Sequence, residues 1–148
     1  MGVNFYRQFL RSLLFLLPPE QAQIMADYFI GKRFLWKFTS PLFEISDDRL
    51  ETKIGGISLS NPVGLAAGYD KNCSFLPSFM HMGFGYVVGG TVLYSANSGN
   101  PRPRLVRLPS KLALLNSLGF PSKGLEYVIN MVSDNLPFKN PVIISIAG

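Results

Sequence analysis

The sequence predicts an α/β protein built on a parallel sheet. Three runs carry that expectation: residues 62–67 (Pro62-Val63-Gly64-Leu65-Ala66-Ala67), residues 86–92 (Tyr86 to Val92) and residues 141–146 (Pro141 to Ile146). Each is a continuous stretch of apolar and small residues rather than an alternating one, as in strands buried on both faces. Helical stretches, residues 74–82 and 124–136, fall between them, and strands alternating with helices pair in parallel.

The elements follow in order. Residues 5–17 read as an amphipathic helix. Phe5, Phe9, Leu13 and Leu16 share a broad face with Leu10 and Leu17, while Arg7, Gln8, Arg11 and Ser12 occupy the other. Pro18-Pro19 ends it, and Pro19 suits the start of a second helix over residues 20–30. The apolar run is far shorter than the roughly 20 residues of a membrane-spanning helix, and no small-x-small cleavage site follows it. Two fates remain for these faces. They pack on the domain core, which periodicity alone favours, or they lie in a membrane interface with Arg7, Arg11, Lys32 and Arg33 near headgroups. Residues 41–48 are irregular. Residues 51–59 form a hairpin, because Gly55-Gly56 supplies the positive φ of a tight turn. After the second strand a Gly/Pro/Asn/Ser stretch spans residues 95–103, with a small excursion strand at residues 105–108. Pro137 ends the last helix. No repeat or low-complexity tract interrupts the chain.

Composition narrows the function classes. Of 148 residues 47% are hydrophobic and 16% charged, which excludes disorder. Twelve Phe, six Tyr and five Met exceed what a minimal core of this length consumes. The net charge of +5 favours anionic partners. The basic residues are dispersed, however, so nucleic acid is not expected. The single Cys73 cannot form an internal disulfide and fits a reducing compartment. One His and one Cys are too few for a zinc site, so no metal is expected. His81, within Phe79-Met80-His81-Met82, reads as structural rather than catalytic.

Chemistry is expected at the strand ends. Gly64-Leu65-Ala66-Ala67-Gly68 presents almost no side chain, so a flat ligand can approach the main chain and its N–H groups. Asp70 and Lys71 follow, and a lysine there supplies a fixed cation against a developing anion. Taken alone, a tight turn with a solvated lysine explains the same residues. The spacing fits neither a Walker loop nor a dinucleotide fingerprint. Gly89-Gly90-Thr91 ends the second strand with a hydroxyl. Asn97 to Arg104, with Arg107, makes a basic loop-rich stretch. Asn116-Ser117-Leu118-Gly119-Phe120 sets an amide, able both to donate and to accept, beside a glycine turn.

Together these residues resemble a known family. Asn61 to Asn72 (NPVGLAAGYDKN) is similar to the first-strand motif of dihydroorotate dehydrogenases. Gly83-Phe84-Gly85-Tyr86 with Gly90-Thr91-Val92 resembles their second strand. Gly99 to Leu108 (GNPRPRLVRL), followed by Asn116-x-x-Gly119-Phe120, resembles the segment after it. The helical N-terminus with Pro19-Glu20-x-Ala22 points to the quinone-dependent, membrane-associated class.

The resemblance implies the N-terminal part of a (β/α)8 TIM barrel, about three strands of it. Residues 1–40 would be a two-helix amphipathic cap for membrane and quinone, followed by the hairpin, with residues 41–148 the start of the FMN-binding barrel. It implies oxidation of dihydroorotate to orotate in pyrimidine biosynthesis, FMN as cofactor, and a membrane quinone as acceptor. Localisation would be peripheral, at the membrane surface, through the N-terminal helices. By position, Ala67, Gly68, Tyr69, Asp70, Lys71, Thr91 and Ser145 would contact FMN. Lys71 and Asn116, Ser117, Leu118, Gly119 and Phe120 would contact dihydroorotate, and Arg107 would reach the quinone tunnel.

The chain departs from the family pattern at several points. Ser117 stands where Arg is usual, Pro121-Ser122 where an Asn pair or Asn-Ser is usual, and Ser145 where Asn is common. Leu14 and Gln23 occupy positions that are often polar in the quinone site. The chain stops at Gly148, directly after the third strand, and is expected to be the first part of a longer protein. The resemblance places the catalytic base, a serine of a later strand, beyond Gly148, so no catalytic base is expected here and the isolated chain should be inactive. A closed barrel needs roughly 250 residues. Two other readings stay open: a non-catalytic membrane-surface or partner-binding half-barrel, and a related FMN oxidoreductase with another substrate.

Overall fold

The computed structural model describes residues 9–148. Phe5, Arg7 and Gln8, and with them the start of the expected first helix, lie outside the described residues. Helices α1 (Arg11–Phe15), α2 (Pro19–Ile30) and α3 (Arg33–Thr39) come first. Strands β1 (Thr52–Ile54), β2 (Ile57–Leu59) and β3 (Gly64–Leu65), helix α4 (Leu76–Phe79) and strand β4 (Tyr86–Leu93) follow. Strands β5 (Leu105–Leu108) and β6 (Ala113–Asn116), helix α5 (Leu125–Ser133) and strand β7 (Val142–Ala147) complete the chain.

The residues fall into two compact units. The first joins the segment ending at Phe29 to Asn100–Gly119; the second comprises Ile30–Gly99 and Phe120–Gly148. The resemblance brings only Arg107 of this segment toward the N-terminal helices; that residues 100–119 as a whole group with them is not visible in the sequence.

In the first unit Pro19 opens α2 with its φ preset, and Glu20 in the first turn suits the helix dipole. The expected excursion strand is β5. It pairs with β6 in an antiparallel hairpin from Leu105↔Asn116 to Leu108↔Ala113. Arg107 on β5 donates to the carbonyls of Leu17 (2.7 Å) and Leu14 (3.3 Å), capping the chain at the end of α1 with a cation.

In the second unit the expected hairpin is β1–β2, with Gly55 (φ 56°) and Gly56 (φ 83°) as its turn. The parallel sheet has the order β3-β4-β7. Its first strand is shorter than residues 62–67, and helix α4 is shorter than residues 74–82. Period-two alternation sends Val87 on β4 and Val142 and Ile144 on β7 toward the helices. There they meet Leu76 and Phe79 of α4, Val128 of α5 and the fully buried Cys73. Burial has raised the Cys73 thiol to about 12, with the Asp70 carboxylate adding to the effect. Helix α3 was missed because seven residues with aromatic and basic positions interleaved give no clear period.

A bulge interrupts β4. Gly89 pairs with Ile144, but the next pairing is Val92 with Ile146, so Gly90 and Thr91 together oppose Ser145. The extra residue shifts the phase of the strand. Val92 thereby returns to the helix-facing core, and Thr91 turns to the opposite face. Gly90 makes this possible: its φ is +108°, and a Cβ there would lie 2.4 Å from the Ser145 carbonyl oxygen.

Candidate functional site

The candidate site lies where β3, β4 and β7 end side by side. Beyond β3 the pairing continues irregularly. The Gly68 N–H donates to the Gly90 carbonyl (2.8 Å), and the Gly90 N–H donates to the Asp70 carbonyl (2.9 Å). This lacing pulls the Ala67–Lys71 turn against the bulge. Ala67 and Gly68 are exposed, and a Cβ on Gly68 would meet no atom within 4 Å, so the main chain there faces open space. On the far side of the bulge, Thr91 Oγ1 and Ser145 Oγ lie 3.0 Å apart, half-buried. Neighbouring strand ends thus offer bare main chain and a hydroxyl pair, the latter created by the phase shift at Gly90.

Around this centre the residues of the turn divide their tasks. Lys71 Nζ donates to the Gly68 carbonyl, which holds the ammonium over the open turn. Asp70 is 2% exposed, and its carboxylate accepts from the Ser74 N–H (2.8 Å) and the Phe75 N–H (2.7 Å). Its side chain therefore anchors the segment leading into α4. Tyr69 stacks edge-on against Phe79 at 5.5 Å. Asn72 Oδ1 accepts from the Lys123 N–H (2.8 Å), tying the turn to the approach of α5.

In the first unit, Asn116 and Ser117 are exposed at the end of β6. The Ser117 N–H donates to the Arg104 carbonyl (2.9 Å), and Asn100 Nδ2 donates to the Ser117 carbonyl (2.8 Å). Leu118 and Gly119 are half-buried. Phe120, in the second unit, is 64% exposed, and its carbonyl accepts from Asn97 Nδ2 (3.2 Å). A cavity of about 340 Å³ within the first unit is lined by Arg11, Phe15, Arg107, Leu108, Pro109, Leu112, Ala113 and Leu114. The Arg107 guanidinium lies 4.5 Å from the Phe15 ring centre and that of Arg11 4.6 Å, so one wall of this mostly apolar space is cationic.

Sequence reasoning missed Ser122. Its buried hydroxyl accepts from the Leu93 N–H and the Gly124 N–H, both at 3.2 Å, which accounts for a small hydroxyl residue at this departure from the family pattern. A buried serine between a strand end and a helix start is the kind of signal that marks such a tie, but its distant partner Leu93 is not visible in sequence. His81 is partly buried. Burial first, then Lys139 and Arg33, push its imidazole below the usual range. No cluster of three or more metal-ligating side chains occurs among the described residues. No helix among them is long and apolar enough to cross a membrane.

The geometry defines an α/β protein whose parallel strands end in bare main chain, a held lysine and paired hydroxyls. Its family is also clear: the dihydroorotate dehydrogenase profile matches residues 49–148, and the chain belongs to that family. The dihydroorotate dehydrogenase (quinone) of Gloeobacter violaceus is 42% identical over 78% of this chain and 34% of its own length. That of Chloroflexus aurantiacus is 38% identical over 96% of this chain and 41% of its own. Among solved structures, the DHODH of Eimeria tenella without ligand superposes with a TM-score of 0.68 at 32% identity, over 87% of this chain and 37% of that one. The same protein in complex with ferulenol gives 0.67 at 32% identity, over 87% and 35%. The chain therefore spans between 34% and 41% of the length of these curated relatives.

Proposed function

We propose that this chain is part of a membrane-associated, FMN-dependent dihydroorotate dehydrogenase that oxidises dihydroorotate to orotate and passes the electrons to a quinone. In this reading residues 41–148 are the first part of a (β/α)8 barrel, and residues 1–40 form the membrane and quinone cap. The observation that carries it is the meeting of the open Gly68 main chain, the held Lys71 and the Thr91–Ser145 hydroxyl pair at adjacent parallel strand ends. Active sites of such barrels form at that end of the strands.

The residues fit a flat, hydrogen-bonding cofactor. The exposed Ala67–Gly68 main chain leaves room for a ring system, Tyr69 borders it, and Asp70 keeps the turn in shape from below. Thr91 and Ser145 can donate to or accept from ring heteroatoms. FMN held by these residues would supply the hydride-accepting chemistry that links dihydroorotate to the quinone. Lys71, whose ammonium the Gly68 carbonyl holds, would stabilise negative charge on the reduced cofactor and on the substrate. Asn116 to Phe120 would supply one wall for dihydroorotate, with the Asn116 amide addressing both donor and acceptor edges of the substrate ring. The cavity beside Arg107 suits a flat apolar acceptor with a polar head. The exposed apolar residues of α1 and α2, among them Leu13 at 50% and Tyr28 at 62%, support a membrane-surface role for the cap.

The test is anaerobic reduction of the full-length protein by dihydroorotate, followed by addition of a quinone. Bleaching of the flavin absorbance and its return with quinone are expected. Lys71→Ala should slow bleaching by about a hundredfold, and Lys71→Arg should recover little because its planar fork is wider than an ammonium. Wild-type bleaching rates in both variants would remove Lys71 from the site. A full-length protein that purifies without flavin would refute the function.

A further inference from the structure

Glu20 stands in the first turn of α2, and its carboxylate faces the loop before β5. Oε1 accepts from the Arg104 N–H at 2.9 Å, and Oε2 lies 3.3 Å from Arg102 Nε. The Arg104 side chain, only 13% exposed, has its Nε 4.0 Å from Oε1. Its Nη1 donates onward to the carbonyls of Asn100 (3.3 Å) and Leu118 (3.4 Å). The Asn100 N–H donates to the Leu118 carbonyl (3.0 Å), and Asn100 Nδ2 donates to the Ser117 carbonyl (2.8 Å). The Ser117 N–H closes the circuit on the Arg104 carbonyl (2.9 Å).

Three consequences follow from this wiring. The main-chain polar groups of Ser117 and the carbonyl of Leu118 are occupied by Arg104 and Asn100, so their positions are set by those two residues. Arg104 is itself held at both ends, by Glu20 on its main chain and by the 100–118 loop through its guanidinium. Glu20 is thus the one carboxylate of the network among the described residues, and it sits on a different element from the segment that the network shapes. The part-buried, charge-assisted bond from the Arg104 N–H to Glu20 holds geometry more firmly than the Arg102 contact, a surface ion pair with Arg102 60% exposed.

We propose that Glu20 is a positioning residue: through Arg104 and Asn100 it sets the 116–118 main chain as a wall of the substrate pocket. The assignment rests on the reading of that segment as the dihydroorotate wall. It makes the first turn of a cap helix part of the substrate-binding apparatus, without contact to substrate or cofactor. Binding geometry lost at a distance is read as a rise in KM, and small displacements of a positioned group have large effects.

The experiment uses the full-length protein with FMN bound. Glu20→Ala removes both acceptors and should raise the KM for dihydroorotate roughly tenfold. Glu20→Gln keeps an acceptor for the Arg104 N–H but no charge for Arg102, and should raise it about threefold. In both, kcat should stay within about twofold and the KM for quinone should not move. Asn100→Ala should produce a similar rise, and the double variant Glu20→Ala with Asn100→Ala should be no worse than the more damaging single change. Unchanged dihydroorotate KM in Glu20→Ala, additive effects in the double variant, or a parallel rise in the quinone KM would each overturn the proposal. If Glu20→Ala fails to fold, Glu20→Gln carries the same decision. A wild-type protein that does not oxidise dihydroorotate would fail at the reading of function instead, so the two failures are distinct.

Discussion

Replacing Gly90 by alanine should be far more damaging than the same change at Gly68, although both glycines have φ near +108°. At Gly68 the added methyl meets nothing within 4 Å, so only backbone strain is at stake, about 1–3 kcal/mol. At Gly90 the methyl would lie 2.4 Å from the Ser145 carbonyl oxygen and 3.1 Å from the Val92 nitrogen. Both are main-chain atoms of the sheet and cannot turn aside as a side chain would. Overpacking of this kind adds about 1–3 kcal/mol, which brings the total to roughly 2–6 kcal/mol. Against a typical stability of about 5–15 kcal/mol that loss is large. Chemical denaturation of the two full-length variants, with parallel measurement of FMN affinity, separates the terms. Gly90→Ala should also weaken FMN by moving Thr91 away from Ser145. Equal midpoints for the two variants would refute the view that the bulge is held by a close main-chain approach at Gly90.

Further expectations rest on other contacts. Asp70→Ala strands the N–H groups of Ser74 and Phe75 and should cost about 2–4 kcal/mol in a denaturation midpoint, while Asp70→Asn, which keeps one acceptor, should cost less. Cys73, raised to about 12, should resist thiol reagents at pH 8 in the native protein and react at once in denaturant. Because the folded pKa lies above the unfolded value of about 8.5, this thiol's contribution to stability is whole below that pH and is lost as pH rises toward 12. A denaturation series across that range should show the decline, and Cys73→Ala should remove this part of it. Arg107→Ala releases the Leu14 and Leu17 carbonyls and empties the cationic wall of the cavity. It should raise the quinone KM about tenfold and leave single-turnover bleaching by dihydroorotate unchanged.

The sheet was legible because its strands are apolar runs too short for buried helices and bounded by Gly and Pro. The hairpin was legible because Gly55-Gly56 permits one turn geometry above others. The open turn at Ala67–Gly68 could be read from its lack of side chains, as could the hydroxyl of Thr91. What stayed hidden depends on partners distant in sequence. The bulge that re-aims Thr91 exists only relative to Ser145, 54 residues on. Strand β6 has exposure at every position and no alternation, so only its pairing with β5 makes it a strand. Asp70 reads as a candidate ligand contact in a motif, and that its carboxylate also accepts from the Ser74 and Phe75 N–H groups appears only in the fold. Glu20 reads as an ordinary first-turn acid until Arg102 and Arg104 are seen to meet it.

The tie at the base of the excursion has a consequence for how the second unit is closed. Asn97 and Ser122 exchange both main-chain hydrogen bonds at 2.8 Å, and the Leu125 N–H reaches the Tyr94 carbonyl at 3.2 Å. With the Ser122 hydroxyl bridging Leu93 and Gly124, the chain leaves the sheet and re-enters it through one clasp. To the sheet, everything between Asn97 and Ser122 is a socketed insert. The bonds that close it, Asn97 with Ser122 and Leu125 with Tyr94, all belong to the second unit. Strand β4 and helix α5 are thus fastened by a seam stitched from residues of their own unit.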